Sequence, residues 1–244
     1  MITAMAYAFH PANIVRELTQ VSKWGQWFIP LCSALIVYLC FTWGSAWWEI
    51  LSAVAGVFCV VLVADRKLTN FFWGLLNCSL YGLTSYHNGF YGDMSLNWLL
   101  YVPFQFMGLA AWYKSTVDEE VISKRLALSE TVVTLFALLI SWIVLGSILV
   151  TFNGNHPFID ASNVVLSIAA TILMWRCYRE QWVCWMMVNI TGITMWGLNA
   201  YHGNGEGVAA LAMWVAFLIN SSYGFYSWTK ASKEIGQVSG FKTT

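Results

Sequence analysis

Hydrophobic residues in this chain run in long blocks separated by short polar junctions. A helix needs about 20 apolar residues, at 1.5 Å of rise each, to cross ~30 Å of hydrocarbon. Eight stretches approach that length: 27–43, 47–64, 70–86, 94–113, 131–152, 158–175, 182–201 and 208–228. The third opens on Asn70 and holds Asn77, and is counted as a span partly because of its neighbours. The pattern predicts an all-α polytopic membrane protein with eight transmembrane helices. Trp24, Trp27, Trp43, Trp47, Trp48, Trp112, Tyr113 and Trp228 stand at the ends of these stretches, where amphipathic rings serve as interfacial anchors.

Composition agrees with lipid as the solvent. Charged residues make up 10% of the 244, against about 25% in an ordinary soluble domain. The formal net charge of zero removes nucleic acid as a partner, since phosphate binding needs a net basic face. The placement of the twelve basic residues matters more than their number. Arg16 and Lys23, Arg66 and Lys67, Lys114, Lys124 and Arg125, Arg176 and Arg179, and Lys230, Lys233 and Lys242 all fall on one side of an eight-span arrangement. The opposite junctions carry Glu49, Asp93, Asp160 and Glu206. By the positive-inside rule both termini are cytoplasmic. The stretch 27–43 reads as a retained helix and not a cleaved signal peptide. Before it, residues 11–23 are open between a short amphipathic helix and a disordered tail. The polar tail from Lys230 is expected to be mobile. Cys32, Cys40, Cys59, Cys78, Cys177 and Cys184 form no C-x-x-C and no metal spacing, so neither disulfides, nor a metal, nor a cofactor is expected.

The chain also repeats itself. Trp73 and Asn77 recur 112 positions on as Trp185 and Asn189, and Tyr86 and His87 recur 115 positions on as Tyr201 and His202. Trp98, Gly108, Trp112 and Lys114 recur 116 positions on as Trp214, Gly224, Trp228 and Lys230. Three spans separated by one return span make the two copies parallel, a 3+1+3 order with one extra N-terminal helix. The resulting segments are a cytoplasmic N-terminal segment (1–26), the extra helix (27–46), a first three-helix repeat (47–113), a cytoplasmic loop and linker helix (114–157), a second repeat (158–229) and a cytoplasmic tail (230–244). Transporters built from parallel repeats bind substrate near mid-membrane where the repeats meet.

No carboxylate lies in the middle of a predicted span, which argues for passive movement of a neutral or weakly charged solute. No H-E-x-x-H or G-x-S-x-G occurs, and His10, His87, His156 and His202 lie at or beyond span ends, so no enzyme is expected. The middles of the spans hold amides and indoles instead. Trp182, Trp185 and Asn189 share one helix face at i, i+3, i+7, and so do Asn70, Trp73 and Asn77. Asn97, Tyr101 and Gln105 share a face at i, i+4, i+8, and Asn220 lies on the side of Phe217 and Gly224. Such amides either bond neighbouring helices, at ~0.6 kcal/mol each, or line a cavity with the tryptophans. Indole faces would favour a cationic ring without any carboxylate. Gly108 and Gly224, at matching repeat positions, permit close helix approach or bending.

The Trp182-x-x-Trp185-x-x-x-Asn189 motif, the 3+1+3 repeat and the Trp- and Tyr-rich helices resemble the PnuC family of vitamin transporters over residues 27–230. The resemblance implies a bacterial inner-membrane homotrimer with a fold similar to SWEET sugar transporters. It implies uptake of nicotinamide riboside by facilitated diffusion, with cytoplasmic phosphorylation trapping the substrate. It assigns substrate binding to Trp182, Trp185 and Asn189, and by the repeat to Trp73 and Asn77, where Asn70 stands in place of the first Trp. Tyr101, Gln105 and Asn220 join them by facing and polarity. Alternating access follows, with the two units rocking about one site. Related branches carry thiamine or riboflavin. An ion-coupled symporter, a pore and a membrane scaffold are the other readings.

Overall fold

The computed structural model describes residues 1–117, 120–151, 157–202 and 207–240. His156, Glu206 and Lys242, and the side chain of Asp160, lie outside that set. Two short helices, α1 (Ile2–Ala8) and α2 (Pro11–Thr19), precede α3 (Lys23–Trp43), α4 (Trp47–Ala64) and α5 (Asn70–His87). Helix α6 (Tyr91–Ser95) passes through a π-helical stretch, Leu96–Tyr101, into α7 (Val102–Lys114). Then follow α8 (Leu128–Thr151), α9 (Pro157–Trp175), α10 (Gln181–His202) and α11 (Val208–Gly240). A helix lies over each predicted apolar stretch. By length and composition, α3, α4, α8 and the Val208–Glu234 part of α11 can cross a membrane. Helices α5 and α10 fall short of that mark because amides, tyrosines and indoles dilute their hydropathy, and α7 falls short because it is 13 residues long.

Local chemistry sets the boundaries. Helix α3 begins at Lys23, earlier than hydropathy places it, because the Ser22 hydroxyl accepts from the Gly25 N–H at 3.3 Å. It stops at Gly44, whose φ of 69° is the left-handed cap that glycine adopts without strain. Residues 11–19, open between helix and tail, are helical, with Pro11 in the first turn and His10 Nδ1 accepting from the Ala12 N–H at 3.2 Å. The segment after Lys230, expected as a mobile tail, continues α11 to Gly240. Extending a formed helix fixes one residue per hydrogen bond, so a polar sequence suffices.

Among the described residues, the structure is all-helical apart from one small feature. Thr116–Val117 pairs antiparallel with Glu120–Val121 in a small hairpin. Beyond it, the Val121 N–H donates to the Arg66 carbonyl at 3.2 Å and the Lys124 N–H to the Cys177 carbonyl at 2.8 Å. Arg66 and Cys177 are the non-glycine residues with positive φ, 58° and 63°, among those described. They follow α4 and α9 at equivalent places in the repeat. One polar segment thus satisfies the carbonyls of two strained turns, which hydropathy alone does not reveal.

Helix α4 packs on α3, α5 and α11, α10 packs on α9 and α11, and α7 packs on α5 and α9. Helix α8 rests chiefly on α9 and presents Leu135, Phe136, Leu139 and Ile143 outward, as a helix bathed in lipid does. The tryptophans at span ends divide into two kinds. Trp27, Trp43 and Trp47 are exposed, but Trp112 and Trp228 are 0% exposed and do not sit at an interface. Trp112 Nε1 donates to the Met174 carbonyl at 2.8 Å, and Trp228 Nε1 donates to the Val63 carbonyl at 3.0 Å. Each indole therefore reaches a carbonyl one residue before the end of a distant helix, Trp112 that of α9 and Trp228 that of α4. Phenylalanine at either position is expected to lower stability by about 1 kcal/mol, the usual net worth of one hydrogen bond, in denaturant unfolding of the detergent-solubilised protein.

Candidate functional site

A cavity of about 540 Å³ opens between α4, α5, the π-helical stretch with α7, and α9 to α11. That volume suits a single small molecule. Of the residues expected at a site, Asn77, Tyr101, Gln105, Trp182, Trp185 and Asn189 line it. The π-helical stretch helps, because its wider turn keeps Asn97 and Tyr101, four apart, on the side of Gln105.

The two motif asparagines are held alike. Asn77 Nδ2 donates to the Ser52 carbonyl at 3.0 Å and lies 3.3 Å from Met213 Sδ. Asn189, 2% exposed, donates from Nδ2 to Ser221 Oγ at 2.9 Å. These bonds fix each amide plane before any ligand arrives. Trp185 stands 6.0 Å, centroid to centroid, from Tyr101, so two rings from different repeats face the same space. Trp182 is wedged edge-on against Trp228, and its buried Nε1 donor has no protein partner. A polar ligand in this cavity can satisfy that donor.

Three expected residues are elsewhere. Asn220 is fully buried, its Oδ1 accepting from Trp24 Nε1 at 3.1 Å and its Nδ2 donating to the Val60 carbonyl at 2.7 Å. It ties α3 to α11 and α4, and Trp24, stacked between Phe28 and Tyr223, is a packing residue and not an interfacial anchor. Asn70 donates to the Lys67 carbonyl at the start of α5. Trp73 stacks on Phe58 of α4 at 4.5 Å, turned away from the cavity that its counterpart Trp185 lines. Of the residues that recur in sequence, both asparagines therefore line the cavity but one tryptophan of the pair does not.

Tyr81 and Asp93 were not anticipated. Tyr81 lies four residues beyond Asn77, so extending that helical face by one turn would have found it. Its hydroxyl donates to Asp93 Oδ2 at 2.6 Å and accepts from the indoles of Trp196 and of Trp214, the latter at 2.9 Å. Asp93 stands at a predicted span end, where a carboxylate reads as a loop residue, yet it lines the cavity. Among the described residues that line the cavity, Asp93 is the one with a charged side chain, and none is Lys or Arg. The arrangement can stack a flat ring between indole and phenol faces, hold amide and hydroxyl groups on Asn and Gln, and offer nothing cationic to a phosphate.

The family model described as nicotinamide mononucleotide transporter matches residues 46–230. The chain is similar to the nicotinamide riboside transporter PnuC of Neisseria mucosa, 39% identical over 196 residues, covering 78% of this chain and 74% of that protein. It is also similar to the PnuC of Haemophilus influenzae, 32% identical over 193 residues, covering 78% and 82% of the two chains. A solved structure, described as the crystal structure of the vitamin B3 transporter PnuC, superposes with a TM-score of 0.76 at 33% identity, covering 84% of this chain and 90% of that one.

Proposed function

This chain belongs to the nicotinamide mononucleotide transporter family, and from that premise we propose that it carries nicotinamide riboside across a membrane. The family description names the mononucleotide and the relatives' names give the riboside. The observation that favours the riboside is the cavity lining. A phosphate is held by Arg, Lys or a helix N-terminus, and the lining offers no Lys or Arg among the described residues. The pyridinium ring suits Trp185 and Tyr101, and the carboxamide and ribose suit Asn77, Gln105 and Asn189.

The transport reading extends from there. The chain crosses a bacterial inner membrane eight times with both termini cytoplasmic, as two parallel three-helix repeats joined by α8, with α3 outside them, in a SWEET-like arrangement. The reciprocal Trp112 and Trp228 bonds and the matched turns at Arg66 and Cys177 support the repeat. The units rock in alternating access, flux is facilitated diffusion, phosphorylation in the cytoplasm traps the product, and the assembly is a homotrimer. The protein is a carrier and not an enzyme.

The deciding experiment is calorimetric titration of the detergent-purified protein with nicotinamide riboside, its mononucleotide, thiamine and riboflavin. Saturable riboside binding is expected, with the mononucleotide at least about tenfold weaker and Trp185→Ala weakening the riboside by about tenfold. Preference for thiamine or riboflavin would keep the carrier and replace its substrate. Silence with all four would return the cavity groups to helix packing. In proteoliposomes, riboside uptake should follow its own gradient, and a requirement for a sodium or proton gradient would make the protein a symporter.

A further inference from the structure

We propose that Asp93 selects the ligand by charge, favouring a monocationic ring over the uncharged form of the same molecule. This rests on the riboside reading above. Three observations carry it. First, Asp93 lines the cavity and is the charged residue among its described lining. Second, no cation pairs with it among the described ion pairs, which join Arg66 and Lys67 to Glu120 and Arg179 to Glu180. Third, its surroundings fix it as a hydrogen-bond acceptor. A tyrosine hydroxyl has one proton and two lone pairs. Trp196 and Trp214 both donate to the Tyr81 oxygen, so the Tyr81 proton goes to Asp93 Oδ2 at 2.6 Å.

Two indole donors and one phenol therefore orient the carboxylate from the protein side, and the Asn97 side chain donates to the Asp93 carbonyl at 2.9 Å. Burial raises the Asp93 pKa and the Tyr81 hydrogen bond opposes that rise. The ionised carboxylate, with no cation paired to it among the described ion pairs, attracts an unlike charge strongly in a cavity of low dielectric. The same charge repels a phosphate, so Asp93 also disfavours the mononucleotide.

The test compares two ligands of nearly the same shape, nicotinamide riboside and its uncharged 1,4-dihydro form, by calorimetry on the full chain. Wild type is expected to bind the cation more tightly. Asp93→Asn should lower affinity for the cation by about tenfold and leave the dihydro form within about twofold, while Asp93→Glu keeps the preference. An equal loss for both ligands would reduce Asp93 to a brace for Tyr81 and overturn the proposal, as would no change for either. Equal wild-type affinity for the two forms overturns it without any variant. Wild type that binds neither form overturns the riboside reading itself, and the proposal with it.

Discussion

Gly224→Ala is expected to weaken riboside binding by about a hundredfold while the protein still folds. A Cβ on Gly224 would lie 2.5 Å from Cζ2 and 2.6 Å from Cε2 of Trp182, inside any real contact distance. The Trp182 ring has little room to retreat, because it is buried and wedged against Trp228. Overpacking of this kind costs about 1–3 kcal/mol, and the strain falls on a ring that lines the cavity. A second substitution, Gly25→Ala, separates packing from binding. Its Cβ would meet Val21 and Val61 at 2.9 Å, and neither is part of the cavity lining. Gly25→Ala should therefore lower thermal stability with a much smaller effect on affinity. If calorimetry finds equal losses of affinity in the two variants, Trp182 does not shape the site.

The second large effect is expected at the N-terminal segment. Glu17→Ala should destabilise the protein by about 3 kcal/mol, read from denaturant or thermal unfolding in detergent. Glu17 is 2% exposed although it belongs to a short helix near the start of the chain. Its carboxylate accepts from the Thr69 N–H at 2.8 Å, the Thr69 hydroxyl at 2.7 Å and the Tyr7 hydroxyl at 3.0 Å. Thr69 caps α5, so a negative group also meets the positive end of that helix. Alanine leaves three donors without this acceptor, whereas Glu17→Gln keeps an acceptor oxygen and should lose about half as much. Burial, with the neighbouring Glu17 charge adding to it, raises the Tyr7 pKa, so the donating proton stays on the phenol in neutral buffer. The same contacts bring Ala4 and Ala8 into one apolar cluster with Phe71, Trp112, Trp182 and Trp228. A Glu17→Ala protein within about 0.5 kcal/mol of wild type would mean that the hydrogen bonds to Glu17 contribute nothing measurable to stability.

Part of the cavity lining was legible because helical periodicity is local. Asn77 and Asn189 sit among apolar residues, and an amide in a lipid-bathed helix must turn toward protein. The 112-residue shift between them marked them as equivalent, and both line the cavity. The same reasoning assigned Trp73, Asn70 and Asn220 to the site, and the structure places those three outside the cavity lining. A stripe says which residues share a face, but not which neighbour that face meets. Phe58 draws Trp73 toward α4, and Trp24 together with the Val60 carbonyl gives both polar atoms of the Asn220 side chain a protein partner.

By itself the sequence determined where the helices lie and which helix faces carry amides and indoles. These depend on composition and on a period of 3.6 residues, and need no partner. Only the tertiary structure decided that Trp112 and Trp228 bond carbonyls of distant helices, that Glu17 caps a helix 52 residues away, and that Asp93 belongs to the cavity. Each of those depends on a contact between residues far apart in the chain. A carboxylate at a helix end looks the same in sequence whether it meets water or a buried phenol, and the packing of the helices settles which.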